Sequence, residues 1–455
     1  MSSVDSPRES WATRLGFIFA AVGSAVGLGN VWRFPFQVGQ EGGGAFLLIY
    51  LLFIVLVGFP AMLVEFVAGR YTERNPVGAL KQLGTGLWEY VGWIFVVTGF
   101  VILSYYSVVA GWTIRYAVLG LQDGYLADVE AAEAQFGSLA VGLEAIVLHA
   151  LFMAVVVTVV AFGVERGIEL AVKVLVPAII VIAVGMAIYA FTLEGAGEAY
   201  VYYLAPDLEV LADDWRSIVP AAAGQAFFTL SLGMGVMLTY ASYLQEDRNL
   251  ATDGAIIIGF DTAIAFIVGL IVFPVLFTAG VDPAAPGPGA IFVSLAAAFG
   301  DLTLGWLVGA VFFATVAVAA LSSAISLLEV LVSYLIDERG IGRVPATVAL
   351  GGGLFVLGIP SALDLVLLDL FDGFADQILL VLGGLLLSVL VGWRRSDLAI
   401  TELELGIGDL GPYGDAWIWA VRIPVIAALL VALTLGVLGY IEFLQDDFWP
   451  WIQEL

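Results

Sequence analysis

A carboxylate at position 261 lies inside an apolar run, with Ile256–Phe260 before it and Thr262–Val268 after it. A membrane helix tolerates an acid there when a cation, a proton or a partner neutralises it. Asp261 is therefore a functional candidate, against the plainer reading of a paired structural acid. Three further apolar runs carry polar groups: Asn30 and Arg33 in one, Gln225, Thr229 and Ser231 in another, Ser322, Ser323 and Ser326 in a third. Asp, Asn, Thr and backbone carbonyls are oxygen-only ligands, and such a set suits a hard cation. Serines in membrane helices usually bond back to their own helix. Near carbonyls freed around Gly23–Val26, however, Ser322 and Ser323 complete a second cation site. A basic side chain at a helix centre costs roughly 2.5–3.5 kcal/mol, so Arg33 needs a wet vestibule and an acidic partner. Asp372 is the expected partner, and a snorkelling anchor is the plainer alternative.

The elements that hold these groups are interrupted spans. The stretch Gly23-Ser24-Ala25-Val26-Gly27-Leu28-Gly29-Asn30-Val31-Trp32-Arg33-Phe34 places three glycines and an Asn in mid-membrane. Each glycine weakens a helix by up to about 1 kcal/mol against Ala. A break there frees backbone groups that lipid cannot satisfy, which is tolerated where they line a site. Thr229-Leu230-Ser231-Leu232-Gly233-Met234-Gly235 interrupts a second run. Two broken spans in corresponding places of two halves point to a secondary transporter.

Composition agrees. Of 455 residues 61% are hydrophobic and 13% charged, with mean hydropathy +1.03, whereas soluble domains carry about 25% charged residues. We read eleven spans, at 11–38 (broken), 43–70, 88–122, 142–163, 167–192, 215–243 (broken), 252–280, 303–336, 343–359, 373–394 and 416–442. They form one membrane domain, and no cleavable signal is expected. Twelve of sixteen Lys and Arg fall on segments that place the N-terminus in the cytoplasm, and the opposite loops carry none, as the positive-inside rule requires. An odd number of spans puts the C-terminus outside the cell membrane. With 41 acids and a net charge of −25, self-repulsion at low salt favours a salt-adapted source and makes a nucleic-acid surface untenable. The chain has no Cys, so disulfides and thiolate metal sites are excluded.

Secondary features are weaker signals. His149 is the one histidine and reads as structural. Glu65, Glu169 and Glu329 are expected to bond helices or backbone. Gly167 and Pro177 mark a helix able to loosen. The loop after the seventh span, Asp282-Pro283 through Gly289, leads into the apolar stretch Ala290–Phe299, which reads equally as a lid or an ordinary loop helix. No Ser/His/Asp pattern or phosphate-binding loop is present, so an enzyme is not expected.

The longest motifs are Trp11-Ala12-Thr13-Arg14-Leu15-Gly16-Phe17, Gly27-Leu28-Gly29-Asn30-Val31-Trp32-Arg33-Phe34-Pro35, Gly42-Gly43-Gly44-Ala45-Phe46, Gln225-Ala226-Phe227-Phe228-Thr229-Leu230-Ser231-Leu232-Gly233 and Tyr240-Ala241-Ser242-Tyr243. By these the chain resembles the neurotransmitter:sodium symporter family, especially its bacterial amino-acid transporters, over nearly its whole length. The resemblance implies an all-α polytopic membrane protein with an inverted five-helix repeat: repeat one at 11–192, repeat two at 215–394, a peripheral eleventh helix at 416–442. It implies two sodium ions as cofactors. One would meet the Ala25 carbonyl, Asn30, Thr229, Asp261 and the substrate carboxylate. The other would meet the carbonyls of Gly23, Val26 and Ala319 and the hydroxyls of Ser322 and Ser323. The substrate carboxylate would meet Leu28, Gly29 and Tyr106. Its amino group would meet Ala25, Phe228, Thr229 and Ser231. Its side chain would lie among Ser24, Ile102, Phe228, Met234, Ser323, Ser326 and Leu327. The implied outer gate is Arg33–Asp372 with Tyr106 and Phe228, and the inner gate is Arg8–Asp337 with Trp11, Ser242 and Tyr243. The Gly167/Pro177 pair matches a helix-unwinding motif that opens a water path to the second sodium site. A homodimer is compatible with the resemblance.

Two departures from the family pattern bear on function. Many relatives have Asn where this chain has Asp261, and chloride-dependent members bind the anion near the positions of Tyr50, Gln225, Thr229, residue 261 and a Ser that is here Ala265. An anion beside the Asp261 carboxylate is repelled, so transport is expected to be chloride-independent. Monoamine carriers place an Asp at the position of Gly27; here the substrate must bring its own carboxylate. Hydrophobic or aromatic amino acids are therefore expected. Proton-coupled transport and a non-translocating amino-acid sensor remain the alternatives, with an ion channel ranking below both.

Overall fold

The computed structural model describes residues 10–284 and 291–454. Arg8 and residues 285–290 of the Pro/Gly-rich loop lie outside the described residues. Those described form helices and turns with no strand. The first expected span is α1 (Arg14–Ala25) and α2 (Gly29–Gln40), bent by 45° at the break. Then come α3 (Gly44–Thr72), a short α4 (Pro76–Leu83), α5 (Trp88–Gln122), the loop helix α6 (Val129–Leu139), α7 (Leu143–Ala161) and α8 (Val164–Ala190). The second half has a loop helix α9 (Ala196–Leu204), α10 (Leu208–Thr229), α11 (Val236–Ala241), α12 (Leu250–Ala279), α13 (Ile291–Asp301) and α14 (Gly305–Arg339). It ends with α15 (Arg343–Leu363), α16 (Leu365–Arg394), α17 (Ser396–Glu404) and α18 (Pro412–Glu454).

Nine of these helices are long and apolar enough to cross a membrane, or ten with the bent α1–α2 pair, among the described residues. The expected span 215–243 is missing from that tally because it is in two pieces: α11 is six residues long, and Leu230–Gly235 between the pieces is not helical. The tenth expected span starts earlier than read, at Leu365, because Asp364 caps it by accepting the Val366 N–H at 2.8 Å.

Two 35-residue helices, α5 and α14, run side by side through the centre. Against α14 pack α1 and α11, and α1 also contacts α8 and α12. The interrupted helices are thus enclosed by other helices, where broken backbone can find partners. The α1 end is set by Thr13, whose hydroxyl accepts from the Gly16 N–H, a usual N-cap arrangement. The apolar stretch expected as either lid or loop helix is α13. Its Phe292 stacks on Phe136 and meets Trp112, Tyr116 and Phe313 edge-on or stacked, so it is packed as a loop helix against α5, α6 and α14.

Candidate transport site

The break in α1 is a matter of close approach. A Cβ at Gly27 would lie 2.3 Å from the Ser323 hydroxyl and 2.8 Å from that of Tyr106. Only glycine lets α5 and α14 come this near. The peptide groups exposed by the break are met by side chains. The Leu28 N–H donates to the Tyr106 hydroxyl at 3.2 Å, and the Gly27 N–H donates to Asn30 Oδ1 at 3.2 Å. Gln225 Nε2 donates to the Gly29 carbonyl at 2.9 Å. Ser323 donates to the Ser24 carbonyl at 2.8 Å.

The second break uses positive φ. Ser231 (φ 53°), Gly233 (φ 79°) and Gly235 (φ 79°) turn the chain, and a Cβ at Gly233 would meet the Leu380 carbonyl at 2.1 Å. Glu65 of α3 braces this turn: its carboxylate accepts from the Gly233 N–H at 2.7 Å and the Leu238 N–H at 3.2 Å. Across the gap, Ser231 donates to the Ser24 carbonyl at 3.0 Å and Ser24 donates to the Ser231 hydroxyl at 3.2 Å. The two interruptions face each other.

Asp261 is fully buried in α12. Asn30 Nδ2 donates to its Oδ1 at 2.7 Å, and the Thr229 hydroxyl lies 3.3 Å from both of its oxygens. No Lys or Arg forms an ion pair with Asp261 among the described residues. Two residues from two other spans thus meet the Asp261 carboxylate, and both donors are neutral. Beside them Ala265 is buried, and the buried Gln225 Oε1 has no hydrogen-bond partner among the described residues.

Of the second expected ligand set, Ser323 and Gly23 are brought within reach of each other. Ser323 reaches from α14 to the carbonyls of Ser24 and Gly23, the latter at 3.4 Å, while Ser322 donates to the Ala319 carbonyl at 2.8 Å. Val26 caps α1, with its N–H on the Val22 carbonyl at 2.7 Å.

A cavity between the breaks is lined by Ser24, Ala25, Gly27, Gly29, Ile102, Tyr106, Phe228, Ser231, Met234, Ser323 and Leu327. Of the expected substrate contacts, Leu28, Thr229 and Ser326 are not in this lining. Ser326 is turned away: it donates to the Ser322 carbonyl at 3.0 Å and accepts from Tyr240 at 2.7 Å. The cavity measures about 20 Å³, room for about one water, so its walls must part to admit a larger molecule.

Phe228 roofs the cavity, and the Arg33 guanidinium lies 4.7 Å above that ring. The expected Arg33–Asp372 pair is corrected here. Arg33 Nη2 is 2.6 Å from Asp376, one helical turn further along α16. Asp372 instead lines a vestibule of about 220 Å³ with Trp32, Arg33, Tyr105 and Asp369. One turn separates two acids on one helix face, and α16 starting at Leu365 brings the later one to Arg33.

On the other side, Trp11 donates from its ring to the Tyr240 carbonyl at 2.9 Å, and Tyr243 donates to Glu329 at 2.7 Å. Glu329 is paired with Arg343 at 2.6 Å. Asp337 accepts from the Asn75 N–H at 3.1 Å and side-chain amide at 3.2 Å; its expected partner Arg8 is outside the described residues. Ser242 bonds its own helix at the Thr239 carbonyl, 2.6 Å. Glu169 accepts from the Ala12 N–H at 2.9 Å and the Thr13 hydroxyl at 2.6 Å, fastening the start of α1 to α8. His149 is buried against Phe355 and contacts its carbonyl at 3.0 Å. Sequence reasoning missed Arg14–Asp253 at 3.0 Å and the buried Arg70–Glu402 pair at 2.6 Å. The signal for them was a base near the end of one span and an acid at the end of another, Asp253, or in a loop helix, Glu402.

Between the Arg33–Asp376 pair on one side and Trp11 and Tyr243 on the other, the polar groups of two broken helices converge. The chain matches the model of the sodium:neurotransmitter symporter family over residues 8–127 and 134–454. It belongs to that family. The sodium-dependent transporter YhdH of Bacillus subtilis, itself called uncharacterized, is 33% identical over 452 residues, which span 95% of this chain and 98% of the relative. A sodium-dependent transporter of Haemophilus influenzae is 34% identical over 432 residues, 89% of this chain and 93% of the relative. The crystal structure of MhsT in complex with L-phenylalanine superposes with a TM-score of 0.85 at 39% identity, over 94% of this chain and 100% of that one. As a member of the family, the protein is a sodium-coupled transporter of the membrane and not an enzyme.

Proposed function

We propose that the chain imports a hydrophobic or aromatic amino acid together with two sodium ions, without chloride, by alternating access. The observation that carries this reading is Asp261, buried with only neutral donors around it. A carboxylate in that setting needs a cation, and Asn30, Thr229 and the neighbouring carbonyls supply oxygen ligands for one. The second ion would lie among Gly23, Val26, Ala319, Ser322 and Ser323. The substrate carboxylate would take the N–H groups near Leu28 and Gly29 and the Tyr106 hydroxyl. Support for an aromatic side chain comes from the apolar lining of Ile102, Phe228, Met234 and Leu327, and from L-phenylalanine in the MhsT complex. Arg33–Asp376 over Phe228 would close the outer side, and Trp11 with Tyr243 the inner.

In this reading α10 and α11 count as one broken span, which makes eleven, and the base-rich side is cytoplasmic. Two sodium ions with a zwitterion carry two charges, worth about 4.6 kcal/mol per 100 mV. At about 1.4 kcal/mol per decade, that sustains accumulation above a thousandfold.

The test is uptake of labelled L-phenylalanine into proteoliposomes under an imposed sodium gradient, with and without chloride. Uptake that requires sodium and ignores chloride is the expected result. A chloride requirement would overturn the role given to Asp261. Uptake that follows pH in the absence of sodium would replace sodium coupling by titration of that same carboxylate.

A further inference from the structure

Three arginines belong to the half of the molecule that carries the Arg33 vestibule, and they are treated differently. Arg33 and Arg115 each sit 2.6 Å from a carboxylate, of Asp376 and Glu144 respectively. Arg216, in α10, forms no ion pair among the described residues; its guanidinium lies 5.6 Å from the centre of the Trp215 ring. Its acidic sequence neighbours, Asp213 and Asp214, do not pair with it.

Below Arg216 runs an apolar groove of about 570 Å³ between α10 and α18, lined by Val219, Pro220, Leu430, Val431, Thr434 and Leu435. Three of its walls, Leu430, Val431 and Leu435, are 40–49% exposed. Arg216 lies thirteen residues before Thr229, where the helix breaks. At a rise of about 1.5 Å per residue that is roughly 20 Å from the break. The hydrocarbon half-thickness is about 15 Å, so a break at mid-membrane puts the guanidinium at headgroup level and the groove below it among acyl chains. Pro220 adds a second feature: it has no N–H to return to the Arg216 carbonyl, which leaves an acceptor beside the cation.

We propose that this groove is a site for one anionic glycerophospholipid, its phosphate on the Arg216 guanidinium and an acyl chain along Val219, Val431 and Leu435. Charge complementarity selects the occupant. The loops on this face carry acids and no base, and Arg33 and Arg115 already hold carboxylates, so phosphate is drawn to Arg216, whose planar fork fits phosphate oxygens. A glycerol headgroup would also offer a hydroxyl to the Arg216 carbonyl. A neutral lipid satisfies the groove but does not pair with the guanidinium.

The test is native mass spectrometry of the full chain in detergent, titrated with phosphatidylglycerol or phosphatidylcholine of the same acyl chains. The wild type is expected to retain one phosphatidylglycerol about tenfold more strongly than phosphatidylcholine, the size of one charge-assisted hydrogen bond. Arg216→Ala removes the preference. Val431→Trp, which fills the groove, lowers retention of both lipids. Thermal melting of each variant in phosphatidylcholine nanodiscs should match the wild type, which separates lipid loss from misfolding. An unchanged preference in Arg216→Ala overturns the proposal. So does displacement of the lipid by equimolar glycerol phosphate, which would mean a headgroup site without a groove. A dimer in the wild type that Val431→Trp splits would give the groove to a second copy and would overturn it too.

Discussion

The two interruptions solve one problem in different ways. The first, between Ala25 and Gly29, is short and bends its span by 45°. Its peptide groups are shared among hydroxyls and amides, of Asn30 in the same span and of Tyr106, Gln225 and Ser323 from other helices. The second, Leu230–Gly235, is longer and runs through three residues of positive φ; its Gly233 N–H and the Leu238 N–H just beyond it are held by a single acid, Glu65, while the Ser231 and Leu232 N–H groups bond the Phe228 and Phe227 carbonyls. Neutral hydroxyls and amides can exchange partners at little cost, whereas a buried carboxylate on two peptide N–H groups is a permanent fixture. The first break is built to trade contacts and the second to keep its shape.

The sharpest way to break this contrast is Glu65→Ala. It strands two buried N–H groups, at about 1–3 kcal/mol each, and is expected to lower unfolding stability by roughly 2–6 kcal/mol, read as a fall in melting temperature. Glu65→Gln keeps one acceptor and should cost about half. At the exchangeable break the expected effects are on ligands. Asp261→Asn withdraws the buried charge, and apparent sodium affinity should fall about a hundredfold, equivalent to roughly 3 kcal/mol, in sodium titrations of uptake. Asp261→Asn combined with Ala265→Ser should regain uptake when chloride is supplied. Gly27→Ala forces a methyl onto Ser323 and Tyr106, and an overpacking cost of about 1–3 kcal/mol should appear as weaker phenylalanine binding with melting little changed. Ser323→Ala removes one hydroxyl from the Ser24 carbonyl and should cost about fivefold in sodium affinity, close to 1 kcal/mol. If Ser323→Ala lowered melting as much as Glu65→Ala, the contrast between the two breaks would fail.

Both breaks were legible because clustered glycines weaken an apolar span at one place, and because Asn30, Thr229 and Asp261 are costly in lipid. Side-chain partners were less so. Asp372 and Asp376 share a helix face, and the choice between them depends on where α16 begins, which Asp364 fixes by capping. Ser326 was placed in the cavity by the resemblance; the Tyr240 hydroxyl, which comes from a distant segment, turns it away. The span at 215–243 read as one element, but six residues of α11 are too few for composition to register as a crossing. The packing of α13 was open in the sequence because an apolar loop helix and a lid have the same composition; its aromatic neighbours come from three distant segments.

Glu65 also bears on the order of assembly. The N-cap position of α11 is Gly235, which has no side chain to cap with, and the Leu238 N–H that an N-cap residue would ordinarily satisfy is taken by Glu65. A helix of six residues has no stability of its own. Glu65 is synthesised 168 residues before Gly233, so its carboxylate is in place before that stretch of chain emerges. The third helix thus supplies the acceptor that α11 lacks in its own sequence, and α11 is expected to be helical only while packed against α3.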